Sequence, residues 1–310
     1  MRIALVLNAD SGTIRGLEPI SLAQELVQII VTSGDDVEVE LFLSSRDTIA
    51  IDLLRAFGSG AERVLVGGGD GTIRSAAEQA IHTGVPLGVL PLGTMNLFAK
   101  SLSIPLDWKE AARALAVGPT LKVDGATLNG RLFLCQSVMG LLPRLSRHRE
   151  AIRGTGAPYR WWLYIKAMAS VMARSRRLKF ELQSDYGRRR VKALTLAVSN
   201  NLYKEEPGAF LSRASLTDGV LGLYIAKHRH WWWLAVLTVQ MMFGRWDADN
   251  AFERVAVRDL SIGPAGRRFL VATDGEVERM TAPLRFAILP KALPVVVPEQ
   301  SDKKMQIVDK

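Results

Sequence analysis

Hydrophobic and polar positions follow two textures along this chain, one after the other. Up to about residue 122, short apolar runs at Ile3–Leu7, Asp36–Leu43, Arg63–Val66 and Leu87–Leu90 predict strands. Between them, Glu18–Ser33, Thr48–Phe57, Ile73–Thr83 and Trp108–Val117 carry apolar residues at helical spacing. Strands alternating with helices predict an α/β domain with a parallel sheet, because parallel neighbours need long crossovers. From about residue 123 the segments become strand-like and separated by turns: Leu132–Val138, Leu178–Gln183, Val191–Val198, Val220–Ile225, Ala251–Ile262, Phe269–Ala272 and Leu284–Ile288. These predict a mainly β sandwich carrying two helices, near 159–173 and 230–243. The expected organisation is an α/β domain over 1–122 and a β-sandwich domain over 123–289, without repeats or low-complexity linkers.

Composition agrees with two cores. The chain has 310 residues, long for a single core, and 48% of them are hydrophobic. Its single cysteine, Cys135, excludes an internal disulfide framework and suits a reducing compartment; set in an apolar run, it reads as an inert core thiol. The opening Met1–Leu7 is too short an apolar stretch for a signal peptide and turns polar at Asn8, so it reads as the first strand of a cytoplasmic protein. The longest apolar stretch, Trp231–Phe243, has 13 residues and includes Thr238 and Gln240, whereas a spanning helix needs about 20. It reads as a core helix or an interfacial one, its three tryptophans and basic flanks favouring headgroup contact.

Charge narrows the partners. Forty Lys and Arg against 31 Asp and Glu leave a net charge of +9, concentrated in Arg144, Arg147, Arg149, Arg153, Arg160, Arg174, Arg176, Arg177, Lys179 and Arg188–Arg190. A basic field attracts nucleic acid or anionic lipid. Aromatic residues mixed with basic flanks around Tyr159–Ala173, without a nucleic-acid fold signature, favour an anionic membrane surface and no nucleic acid. A homo-oligomer is compatible with the sequence.

The chemistry lies in two loops. Gly67-Gly68-Gly69-Asp70-Gly71-Thr72 is entered from the strand-like Arg63–Val66 and followed at once by helix-forming residues. Consecutive glycines before a helix N-terminus suit close approach of a phosphate to backbone N–H groups. Asp70 would repel that phosphate; two like charges about 4 Å apart cost roughly 4 kcal/mol at an effective dielectric near 20. A divalent cation reverses the sign, and Mg²⁺ is the ion that combines one or two carboxylates with phosphate oxygens. A second break, Leu90-Pro91-Leu92-Gly93-Thr94-Met95-Asn96, follows one strand–helix unit later and predicts a loop on the same sheet edge, where ligands bind.

Together, GGGDGT at Gly67–Thr72 and GTMNLFA at Gly93–Ala99 resemble the diacylglycerol kinase catalytic-domain family, which includes bacterial lipid kinases and sphingosine kinases and is related in fold to NAD kinases and phosphofructokinases. Asn8-Ala9-Asp10-Ser11-Gly12, Lys122-Val123-Asp124-Gly125, Thr217-Asp218-Gly219-Val220-Leu221 and Thr273-Asp274-Gly275-Glu276 extend the resemblance over most of the chain. It implies an ATP-dependent lipid kinase using Mg²⁺ and acting on diacylglycerol, a sphingoid base or a related lipid, and a final segment, 290–310, that returns to the first domain.

Carried over residue by residue, it implies Asp274 as the base accepting the attacking hydroxyl's proton, with Glu276 orienting it or helping to hold the metal. Gly67, Gly68, Gly69, Gly71 and Thr72 would line the nucleotide phosphates, Asp70 would act through Mg²⁺, and Thr94 and Asn96 would complete the pocket. Asp218, with the backbone carbonyls of Ser215 and Val220, would hold a structural metal, and Asp124 would join a carboxylate–water network behind the active metal. The family commonly has aspartate after the asparagine of the second loop; Leu97 stands there, so one supporting carboxylate is missing, which bears on metal dependence or affinity. NAD kinases share the glycine–aspartate loop but typically have glutamine at the position of Glu276. A catalytically silent nucleotide- or lipid-binding regulator would have lost Asp70 or Asp274, and neither is lost.

Overall fold

The computed structural model describes residues 1–12, 18–34, 36–141, 143, 177–204, 213, 215–226 and 252–299. The helices expected near 159–173 and 230–243, and the basic residues from Arg144 to Arg176, lie outside the described residues. The chain divides into two compact units: Met1–Gly125 with Ser215–Asp218 and the chain from Leu289 onward, and Ala126–Ala214 with Gly219–Ile288.

The first unit alternates strands and helices: β1 (Arg2–Asn8), α1 (Pro19–Thr32), β2 (Glu38–Ser44), α2 (Ile49–Gly58), β3 (Arg63–Gly67), α3 (Asp70–Thr83), β4 (Leu87–Leu90), α4 (Leu97–Ser101) and α5 (Trp108–Val117). The strands are parallel in the order β2-β1-β3-β4. Ile3–Leu7 in β1, Val64–Gly67 in β3 and all of β4 are buried without alternation, as strands covered on both faces must be. Local chemistry fixes the helix ends. The Asp107 side chain accepts from the N–H groups of Lys109 and Glu110, both at 2.9 Å, capping α5 at its start. At the other end of α5, Arg63 Nη1 donates to the carbonyls of Leu115, Ala116 and Gly118 at 3.0–3.1 Å. Gly84 closes α3 in the left-handed region, at φ 76°.

Into the second unit run β5 (Thr120–Leu128), β6 (Arg131–Phe133), β7 (Gln136–Gly140), β8 (Leu178–Ser184), β9 (Gly187–Ala193), β10 (Thr195–Asn200), β11 (Leu221–Ala226), β12 (Phe252–Val257), β13 (Asp259–Gly263), β14 (Arg268–Thr273), β15 (Glu276–Thr281) and β16 (Leu284–Val296). One antiparallel sheet has the order β12-β11-β10-β7-β14-β15. The other places the first part of β16 beside β13, then β8 and β9. Phe180, Leu182, Ile262 and Phe286 from the second sheet share a buried cluster with Leu196, Leu223, Phe269 and Val271 from the first, which is the core of a sandwich.

Three segments expected as single strands are broken. Leu132–Val138 divides into β6 and β7, Val191–Val198 into β9 and β10, and Ala251–Ile262 into β12 and β13. Each break is where the chain leaves one sheet for the other. A continuous apolar run does not encode that switch, because both sheets face the same core. β15 was not expected at all; its Glu276, Glu278 and Arg279 mask an edge strand.

Beyond Ile288, β16 belongs to the first unit, where Val295 pairs in parallel with Leu87 and Val297 N–H donates to Pro119 O at 3.0 Å. Segment 215–218 joins that unit too, although the pattern had placed it with the sandwich. Asp124 holds both: its N–H donates to Leu216 O, and its carboxylate accepts Lys291 N–H, each at 2.7 Å.

Candidate active site

In the first unit, three loops meet where β1, β3 and β4 end. Asn8 Nδ2 donates to Thr72 Oγ1 at 3.0 Å, and Ser11 Oγ donates to Leu92 O at 3.3 Å. A β-carbon on Gly93 would lie 2.9 Å from Gly68 O and 3.0 Å from Gly69 Cα, and one on Gly68 would lie 2.8 Å from Thr72 Cβ. Gly93 therefore serves the packing of the second loop on the glycine loop, and Gly68 makes room for Thr72 within its own loop. Gly69 differs: a β-carbon there meets nothing within 4 Å, so this backbone borders open space at the start of α3. The first-turn amides of α3 have no carbonyl a turn behind them, and the positive end of the helix dipole is here.

Asp70 is the first residue of α3 and half-buried; its Oδ1 accepts the N–H of Leu97, the first residue of α4, at 3.3 Å. Asp70 thus ties the glycine loop to the second loop. Asn96 braces that second loop from within, accepting from Gly93 N–H at 2.9 Å and donating to Pro91 O at 3.1 Å, in the left-handed conformation at φ 51°. Thr94 is exposed, and a β-carbon on Gly12 would lie 2.8 Å from its Oγ1.

The second unit holds Asp274 and Glu276. Asp274-Gly275 is the two-residue turn between β14 and β15, with φ 46° and 92°, the positive values that a tight hairpin favours. The Asp274 side chain does not stand free at the turn. It is 8% exposed and accepts three consecutive amides, Leu134 at 2.7 Å on Oδ2, and Cys135 at 2.9 Å and Gln136 at 3.0 Å on Oδ1. Burial pushes the carboxyl above its ordinary pKa; the three amides and the Arg213 guanidinium pull the other way, and burial prevails. Glu276, the first residue of β15, is exposed.

Asp124 is buried and its Oδ1 is engaged by Lys291 N–H, a brace within the first unit. Ser215 and exposed Asp218 fall in the first unit, and Val220, whose carbonyl accepts Asn201 N–H at 3.0 Å, falls in the second. Among the described residues, no group of three or more His, Cys, Asp or Glu is placed to hold a metal ion. A metal beside Asp70 would take its other ligands from phosphate oxygens and water, which suits Mg²⁺ carried with a nucleotide.

Sequence reading missed the polar residues behind Asp274. Asn200, Arg213 and Tyr203 sit against the segment that supplies its three amides. The one available signal was the pair Asn200-Asn201 closing an apolar run, both fully buried.

A parallel α/β unit with glycine loops at its strand ends, in one chain with an antiparallel sandwich bearing an Asp-Gly-Glu turn, defines a class of two-part kinases. Residues 2–128 match the diacylglycerol kinase catalytic domain, and residues 146–297 match the YegS C-terminal NAD kinase beta sandwich-like domain. The chain belongs to the diacylglycerol kinase catalytic-domain family. It is 28% identical over 275 residues to a protein of Pseudomonas fluorescens named "Probable lipid kinase YegS-like", covering 87% of this chain and 88% of that one. A diacylglycerol kinase of Staphylococcus carnosus is 31% identical over 121 residues, 38% of this chain and 39% of its own. A crystal structure of a diacylglycerol kinase from Bacillus anthracis str. Sterne has the same fold, with a TM-score of 0.65 and 15% identity over 97% of this chain and 98% of its own.

Proposed function

We propose that this chain transfers the γ-phosphate of ATP to the hydroxyl of a membrane lipid, such as diacylglycerol or a sphingoid base. The supporting observation is the convergence of three loops on the open start of α3, where Gly69 leaves the backbone uncovered and Asp70 presents a carboxylate. In this reading the amides of the 67–72 loop and the α3 N-terminus take the nucleotide phosphates, with Thr94 and Asn96 shaping the pocket. Asp70 holds Mg²⁺, which when bound neutralises phosphate charge. Asp274 accepts the lipid hydroxyl's proton, its burial raising its affinity for that proton, and Glu276 supports it. Asp218 with the Ser215 carbonyl takes a second, structural metal, and Asp124 supports the first through water.

Phosphoryl acceptors of this kind lie in a bilayer, and the described basic surface suits one. On the β8–β9 hairpin, Arg188, Arg189, Arg190 and Lys192 are exposed, and Tyr186 near its tip is 75% exposed. We take this hairpin as part of a peripheral contact with anionic lipid. Among the described residues, no helix is long and apolar enough to cross a membrane.

A radiolabelled-ATP assay over a lipid panel, with NAD as an additional acceptor, tests the function. Label should enter a lipid and not NAD; label in NAD alone, or in nothing while Mg·ATP binds, would replace this reading with a nucleotide kinase or a silent regulator.

A further inference from the structure

Within the second unit, Asp274 is the buried carboxylate and Arg213 the buried cation among the described residues, at 8% and 6% exposure. Two short chains of contacts connect them. Cys135 gives its N–H to Asp274 Oδ1 at 2.9 Å, while its Sγ receives Arg213 Nη2 at 3.6 Å. Asn200 gives its N–H to Cys135 O at 3.0 Å and its Nδ2 to Leu134 O at 3.2 Å, while its own carbonyl receives Arg213 Nη1 at 3.2 Å. Gln136, the third amide donor, is held by Tyr203, whose hydroxyl donates to its Oε1 at 2.9 Å. Tyr203 is the residue that bridges Arg213 in an isolated antiparallel pair. The Leu134–Cys135 and Cys135–Gln136 peptides, which give two of the three amides to Asp274, are thus held from behind by Asn200, itself held by Arg213, while the bridge partner of Arg213 holds the Gln136 side chain.

We propose that Arg213 is a positioning residue for Asp274: through Asn200, Cys135 and the Tyr203 bridge it sets the 134–136 segment whose amides hold the carboxylate. This deepens the reading of Asp274 as the base and rests on it. A buried guanidinium is costly without an opposite charge, and a carboxylate that must meet a substrate hydroxyl tolerates little displacement. Arg213 answers both requirements at once. Tyr203, Tyr224 and Cys135 are the other titratable groups in this cluster, and burial raises both tyrosine hydroxyls above their ordinary pKa.

The test is a double-variant cycle in the full chain: Arg213→Met, Arg213→Lys, Asp274→Asn and the combinations, read by kcat, KM for ATP and the unfolding midpoint. Arg213→Met should lower kcat about tenfold or more with KM for ATP within about twofold, and should change kcat less than about twofold when Asp274 is already Asn. Arg213→Lys, which keeps the charge but not the fork, should recover part of kcat. The same fold loss in both backgrounds would overturn the proposal. If Arg213→Met does not fold, the Arg213→Lys cycle decides by the same criterion. If the parent phosphorylates no lipid, the proposed function fails separately, and the midpoints still decide: the double variant should melt higher than the two single shifts added together, and additive shifts would overturn the positioning role.

Discussion

Asp70 and Asp274 are both carboxylates one residue from a glycine, yet their surroundings are opposite. Asp70 opens a helix, half-buried, with the Leu97 amide at 3.3 Å and open backbone beside it. Asp274 is sunk in a turn, with three amides at 2.7–3.0 Å and a buried network behind them. In the proposed function the contrast matches two tasks. A carboxylate that works beside a diffusing metal nucleotide must stay accessible. A carboxylate that must take a proton in one geometry is held on several sides, and burial raises its proton affinity.

Substitution of the more constrained carboxylate should have the larger effect. Asp274→Asn keeps size but loses basicity, so the chemical step should slow by roughly 10²–10⁴-fold while Mg·ATP titration is unchanged. A parent-like rate in single turnover would pass the role to Glu276 or to the substrate. The pH profile sharpens the point. Because the folded carboxyl is raised above its ordinary 3.8, the acidic limb of kcat should lie above the usual carboxylate range and vanish in Asp274→Asn. The folded state binds this proton more tightly than the unfolded one. Its contribution to stability is thus full below pH 3.8 and lost as pH rises through the raised value, which urea titrations of parent and variant at several pH values would read.

Asp70→Asn should cut turnover roughly 10–100-fold, the usual range when metal support is weakened, with the melting midpoint nearly unchanged since Asn can still accept from Leu97 N–H. Loss of folding there would erase the distinction between the two carboxylates. The glycines supply a finer test. Gly93→Ala should destabilise by about 1–3 kcal/mol, because its β-carbon meets the Gly68 carbonyl. Gly69→Ala has room and should leave stability nearly unchanged while weakening nucleotide affinity, measured by calorimetry. The smallest effect belongs to the membrane surface. Arg188→Ala and Lys192→Ala should each lower sedimentation with phosphatidylglycerol vesicles by about fivefold at low salt and by less as salt rises, as a screened charge worth about 1 kcal/mol requires. Binding to neutral vesicles that is equal at every ionic strength would contradict it.

The first unit was legible because its signals are local. A glycine run between a strand and a helix, a cap such as Asp107 and buried runs such as Val64–Val66 each determine their own few residues. The sandwich was legible as a class and blurred in detail, since Leu194 and Arg258 look like any other position in an extended run, yet the chain changes sheets at both. The setting of Asp274 could not be read at all. Its partners lie about 140 residues upstream along the chain and contribute backbone N–H groups, which no side-chain identity records. Arg213 stood among many arginines, and only burial distinguishes it.

The parallel pairing of β16 with β4 also determines the order in which the molecule can be completed as it is made. β4 ends at Leu90 and β16 begins at Leu284. At a synthesis rate of about 5–20 residues per second, the nascent first sheet waits on the order of ten to forty seconds for the strand that closes beside β4. During that interval an apolar strand edge is available to any passing chain. A ribosome-bound chain arrested before Leu284 should therefore be more protease-sensitive at Leu87–Leu90 than the released protein, and supplying the missing strand in trans should protect it.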